Sequence, residues 1–67
     1  MEKFAERLKE LRIERGLSQS QLSKATGLSQ NAITYWENQK RVPIASAIIA
    51  LARYFGVSTD YLLGEED

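Results

Sequence analysis

Sixty-seven residues carry nine Lys and Arg against nine Asp and Glu, with no Cys and no His. The missing residue types exclude disulfides, thiolate metal sites and the commonest general base, so no metal or other cofactor is expected and an intracellular, cytoplasmic chain is favoured. A chain this short buries only about 60% of its unfolded surface, so its elements must share one core, and association with a second copy would help. No apolar run approaches the roughly 20 residues that cross a bilayer, and the pattern of a signal peptide is absent, so a membrane is not an expected partner.

The zero net charge conceals a gradient. All nine bases lie at or before Arg53, whereas Asp60, Glu65, Glu66 and Asp67 crowd the last eight residues, leaving residues 1 to 59 at +4. Such asymmetry says more about partners than the sum does. The acidic end reads either as a solvated, frayed tail or as a segment that repels a polyanionic partner from the wrong face.

Residues 2 to 15 predict an amphipathic helix in which Phe4, Leu8 and Leu11, flanked by Ala5 and Arg12, form one stripe. Glu6 with Lys9, and Arg7 with Glu10, fall at i,i+3 spacing on the wet side, which suits solubility and helix support. Gly16 ends this helix.

The next stretch repeats one start signal. Leu17 precedes Ser18 with Leu22 five residues after Leu17, and Leu28 precedes Ser29 with Ile33 five residues after Leu28. Each is an N-cap serine bracketed by a hydrophobic staple, and Gln21 completes a capping box on Ser18. Helices over 19 to 26 and 30 to 38 are therefore expected, separated by a left-handed Gly27. Leu22, Ala25, Ile33 and Trp36 are placed inward by helical spacing, Ser23 at a close helix crossing and Lys24 in solvent. Gln30, Asn31, Thr34, Tyr35 and Asn38 line the opposite face of the second helix, which is uncharged and rich in amides. An ordinary solvated face carries Lys, Glu and Arg instead. Amides bond adenine edges at two points, and hydroxyls and ring carbons suit thymine O4 and methyl groups. Glu37, the one acid of this segment, is expected inward and paired with Arg12, because outward it would meet phosphate.

Asn38 to Pro43 form a loop with adjacent Lys40 and Arg41, suited to a phosphate backbone, against the plainer reading of a solvated basic turn. Ile44 to Phe55 is the most apolar segment, with Ile48, Leu51, Ala52 and Phe55 as its core stripe. Ile44, Ile49 and Tyr54 are left over, either to meet another subunit or to stand exposed one by one. After Gly56 the start signal recurs as Val57, Ser58 and Leu62, with Asp60 favoured by the helix dipole, and this short helix ends by Leu63 and Gly64. No strand pattern or internal linker interrupts the chain. The expected organisation is one domain over 1–64 and an acidic tail over 65–67.

The segments LeuSerGlnSerGlnLeuSerLysAlaThrGlyLeuSer, IleThrTyrTrpGluAsn, LysArg-x-Pro and PheGlyValSerThrAspTyrLeuLeu, in this order and spacing, closely resemble the phage-repressor and Cro-like helix-turn-helix family. The resemblance implies an all-α fold, a five-helix bundle of the lambda-repressor-like type, and binding of double-stranded DNA at an operator expected to be palindromic. It implies that Gln19 bonds a phosphate and braces Gln30, which contacts a base, and that Asn31, Thr34 and Tyr35 face the groove. Asn38 then lies at the backbone-contacting end, Lys40 and Arg41 hold phosphates, and Arg12 and Glu37 form a structural ion pair. It further implies a homodimer through the C-terminal helices, with recognition helices about 34 Å apart. Two positions depart from the family pattern. Gln39 stands where glycine is common, so either Asn38 takes the left-handed role or the loop runs differently, and Ile44 stands where a capping serine often follows the proline.

A sequence-specific transcriptional regulator, with repression the first expectation, is the leading reading. The competing one is a protein interaction module such as an antirepressor or a polymerase-contacting subunit. No nucleophile–base pair or metal cluster supports an enzyme, and the stacking sheet or glycine loop of common RNA modules is missing.

Overall fold

Three serines begin three of the helices, and the side chains they position meet at the centre of the molecule. The computed structural model describes residues 2–66 and contains α1 (Glu2–Glu14), α2 (Gln19–Thr26), α3 (Gln30–Glu37), α4 (Ala45–Phe55) and α5 (Thr59–Leu63), with no strand among the described residues. Ser18, Ser29 and Ser58 are the N-caps of α2, α3 and α5, each accepting a backbone N–H three residues on. At Ser18 the box is closed in both directions, since its N–H also donates to Gln21 Oε1 at 2.8 Å. Leu22, Ile33 and Leu62, the fourth helical residue after each cap, are all fully buried. Their staple partners Leu17, Leu28 and Val57 pack against the same core. Burying each of the three inner side chains is worth about 1.5–3 kcal/mol.

Phe4 and Leu8 of α1 bring that core to its full depth, and Phe4 meets Trp36 edge to face at 6.3 Å. α4 covers the other side through Ala47, Leu51, Ala52 and Phe55. Ile48, expected in this stripe, is only half-buried, because the fourth-residue row from Ala47 through Leu51 to Phe55 is the one that faces inward. Ala25 is exposed, which corrects its expected inward placement. The contact between α2 and α3 instead runs along Leu22, Ser23 and Thr26, with Ser23 donating its hydroxyl to the carbonyl of Leu28 and Thr26 donating to Leu22. Tyr54 is covered from within its own chain, edge to face on Phe55 and beside the Arg15 guanidinium. Ile44 and Ile49 stay 69% and 43% exposed.

α5 is fastened to α1. Arg7 donates to the carbonyls of Tyr61 and Glu66 and lies 4.2 Å from the centre of the Tyr61 ring. Arg15 does the same for α4 by donating to the Phe55 carbonyl at 3.1 Å. Glu65 and Glu66 are exposed, and Glu66 also accepts from the Ser58 hydroxyl. Asp67, the last acid of the expected tail, lies outside the described residues.

Arg12 ties α1 and the connection after it to α3, and Gln19 ties α2 to the same carboxylate. Its Nε donates to Glu37 Oε2 at 2.7 Å and its second terminal nitrogen to Oε1 at 3.0 Å, while the first donates to the Leu17 carbonyl at 2.8 Å. Gln19 adds a third hydrogen bond to Glu37 Oε1 at 3.1 Å. The two ionic side chains are 13% and 3% exposed. Donating these hydrogen bonds to the Glu37 carboxylate pushes the Arg12 guanidinium above its ordinary range against the opposing pull of burial.

α3 ends in a Schellman turn without a glycine. Lys40 N–H reaches the Tyr35 carbonyl at 2.8 Å and Gln39 N–H reaches Trp36 at 3.2 Å, the pattern that Gly56 makes at the end of α4. Gln39 takes the left-handed conformation, φ +60°, while Asn38 stays at φ −97°. Neither the backbone of Asn38 nor a rerouted loop relieves it. Ile44 is the N-cap of α4 and makes no side-chain cap bond.

Two stability changes are expected. Gln39→Gly should stabilise the fold by about 0.5–1 kcal/mol, the strain removed less the greater chain entropy of glycine, and raise the melting temperature accordingly. Glu37→Gln should cost about 3 kcal/mol in urea unfolding, because Arg12 keeps its charge and loses its counter-ion; a loss below about 1 kcal/mol would show that the pair acts as an ordinary surface contact.

Candidate nucleic-acid interface

α3 turns two chemically different sides to its surroundings. Ile33 and Trp36 go into the core, Glu37 goes under Arg12, and what remains outside is Gln30, Asn31, Tyr35 and Asn38, all exposed. Among the described residues the side-chain amides of Gln30, Asn31 and Asn38 make no protein hydrogen bond. Their donors and acceptors are held out on a rigid helix with no partner but solvent. Exposed α3 carries no free charge, since its single acid is already met by three donors.

Thr34 departs from the expected groove-facing role. It is half-buried, and its hydroxyl donates to Gln19 Oε1 at 2.6 Å. Gln19 in turn departs from its expected brace. Its side chain runs to Glu37 and Thr34, and among the described residues no hydrogen bond joins it to Gln30. The physical reason is position on the helix: Thr34 and Glu37 are three residues apart on α3, so one amide spans both, while Gln30 is a full turn further out. A carboxylate that needs a third donor takes the Gln19 N–H first. Among the described residues the second N–H of that amide has no partner.

The loop after α3 places positive charge at one end of the amide face. Pro43 is buried and anchors the loop, while Lys40 and Arg41 are exposed. Arg41 is folded back over Tyr35, its guanidinium carbon 4.7 Å from the ring centre. That contact was not anticipated from the sequence. The available signal was an aromatic six residues before an arginine with a left-handed residue between them, which is legible only once Gln39 is known to be that residue.

Comparison with known proteins agrees with this architecture. A family model described as helix-turn-helix matches residues 8–62. The HTH-type transcriptional activator BcrR of Enterococcus faecalis is 34% identical over 64 residues, covering 96% of this chain and 31% of the relative. The HTH-type transcriptional regulator ImmR of Bacillus subtilis (strain 168) is 32% identical over 64 residues, covering 96% of this chain and 50% of the relative. A SPbeta prophage-derived uncharacterized HTH-type transcriptional regulator, YonR of the same Bacillus strain, is 35% identical over 60 residues, covering 90% and 56% respectively. The chain thus spans about a third to just over half the length of these curated relatives. With five helices in this order, a capped α2 and α3 meeting at Gly27, and a family match over most of its length, the chain belongs to the Cro/C1-type helix-turn-helix family.

Proposed function

We propose that this chain binds double-stranded DNA sequence-specifically in the cytoplasm and regulates transcription without chemistry, acting as a repressor by occupying an operator. One observation carries the reading: the exposed side of α3 is a row of unpaired amides from which the helix's only acid has been withdrawn into an ion pair. Such a face suits the major groove, where an amide can bond adenine N6 and N7 together. Gln30 and Asn31 are the base readers and Tyr35 borders them. Lys40 and Arg41 take phosphates, Asn38 lies at the backbone-contacting end, and Gln19 offers its unused N–H to a phosphate while positioning Thr34. Repression asks for no further surface than the one that occupies the site, although one similar protein is named an activator.

The body measures 27 × 24 × 20 Å, shorter than the roughly 34 Å between successive major-groove faces on one side of a duplex. Reading two half-sites therefore takes two copies, and a homodimer through the C-terminal helices on a palindromic operator is the arrangement proposed. The exposed Ile44 and Ile49, at and within α4, favour it.

Selection from random duplexes should return two inverted half-sites about one helical turn apart. Gln30→Ala should then cost about 1–3 kcal/mol and relax preference at one base position, whereas Lys40→Ala should weaken all sequences alike and lower the salt slope by roughly 0.9. Equal loss on every sequence for Gln30→Ala would remove it as a reader. Sedimentation on the selected operator should give two chains per duplex; a single chain at saturation would rule out the symmetric dimer.

A further inference from the structure

The contact between Arg41 and Tyr35 ties the loop to the reading face. The left-handed turn at Gln39 reverses the chain just after α3, and the Lys40 N–H closes it on the carbonyl of Tyr35 itself. Arg41 is thereby brought over the Tyr35 ring at 4.7 Å, inside the range where a guanidinium is attracted to an aromatic face. Even with that cover, Tyr35 remains 41% exposed. A ring held from one side has few rotamers left to lose on binding, so the contact it makes with its exposed part is not offset by much ordering. The guanidinium has five N–H donors, and among the described residues none is used by the protein. Stacking on the ring leaves them all free for a phosphate.

In a major groove the one apolar feature of a base pair is the 5-methyl group of thymine. An exposed aromatic beside a row of amides is matched to it, and the phenol hydroxyl is not required. Resting on the DNA-binding reading above, we propose that Tyr35 is a specificity-determining residue that detects a pyrimidine 5-methyl group at one position of each half-site, and that Arg41 is its positioning residue. Arg41 sets the ring by stacking while bonding the neighbouring phosphate, so backbone engagement and methyl detection are coupled. The recognised group is the methyl itself. Thymine and 5-methylcytosine both present it, and deoxyuridine and cytosine do not.

The test uses the selected operator with each thymine replaced in turn by deoxyuridine, which removes a methyl and changes no hydrogen-bonding group. For the unaltered protein, one position per half-site should bind about fourfold more weakly, the value of one buried methyl. Tyr35→Phe should keep that ratio, and Tyr35→Ala should bring it to one. Arg41→Ala should weaken both duplexes and also shrink the ratio toward one. A phosphate contact that had no part in setting the ring would lower both affinities alike and leave the ratio at four. Specific operator binding with no deoxyuridine-sensitive position would overturn this inference and leave the DNA-binding reading standing. A ratio unchanged in Tyr35→Ala would assign the methyl to another residue, and a ratio lost in Tyr35→Phe would assign the readout to the hydroxyl. Either result overturns the proposal, and absence of specific binding to any duplex overturns it together with the reading beneath it. Tyr35 and Arg41 are surface positions, and the fluorescence of the single tryptophan, Trp36, reports that each variant is folded.

Discussion

The ion pair between Arg12 and Glu37 is the constraint on which the presentation of α3 depends. α3 must show a neutral, hydrogen-bonding face outside, yet it carries a carboxylate within one turn of that face. Water could solvate the acid only by leaving it on the surface. Folding instead withdraws it, and a buried carboxylate is tolerable only when nearly every lone pair is met. Two nitrogens of Arg12 and the amide of Gln19 supply those donors, while a third nitrogen of Arg12 holds the Leu17 carbonyl. Those partners come from α1, α2 and the connection between them, so satisfying Glu37 also fixes how α3 is presented. The pair's net contribution to stability is small compared with what its rupture costs, and its larger effect is on orientation.

The same network explains why Thr34 does not stand with the exposed amides of Gln30 and Asn31. Gln19 has one amide with two ends. Its nitrogen is taken by Glu37, which leaves its oxygen facing α3, and the nearest hydroxyl closes the bond. α2 is thus coupled to α3 through a hydrogen-bonded chain of Arg12, Glu37, Gln19 and Thr34, on top of the apolar contact through Leu22 and Ile33. A displacement of α2 would disturb a charged group, not merely a packing surface.

What could be read in advance was what local chemistry decides. A serine N-cap with an apolar residue on either side is a message contained in six residues, and all three such messages correspond to helix starts with buried Leu22, Ile33 and Leu62. Rotations of a helix about its own axis were less legible. Ala25 and Thr26 differ by one residue, and the choice between them depended on Ser23 meeting the Leu28 carbonyl; likewise Ala47 displaced Ile48 because of where α5 and α2 stand. Side-chain partnerships over long separations were the least visible. Glu37 with Arg12 followed from an electrostatic necessity, since an acid on that face had to go somewhere. Nothing comparable demanded that Arg7 reach Tyr61, that Arg15 reach Phe55 or that Arg41 lie over Tyr35. Each of those arginines had solvent as an acceptable alternative.

Gln39 joins these points. A left-handed backbone at a residue with a Cβ is costly by about 1–2 kcal/mol, and asparagine, which tolerates that conformation better, stands immediately before it. The turn nevertheless places the strain on Gln39, because the two closing hydrogen bonds require the left-handed residue to follow the cap. Moving the conformation to Asn38 would shift the register by one and withdraw both the Lys40 bond to Tyr35 and the approach of Arg41 to its ring. The strained position is therefore the one that sets where Lys40 and Arg41 lie relative to Tyr35. In a chain with no net charge, that placement matters more than the number of bases: on the DNA-binding reading proposed above, attraction to a duplex has to come from a few cations held beside a face that carries no opposing acid.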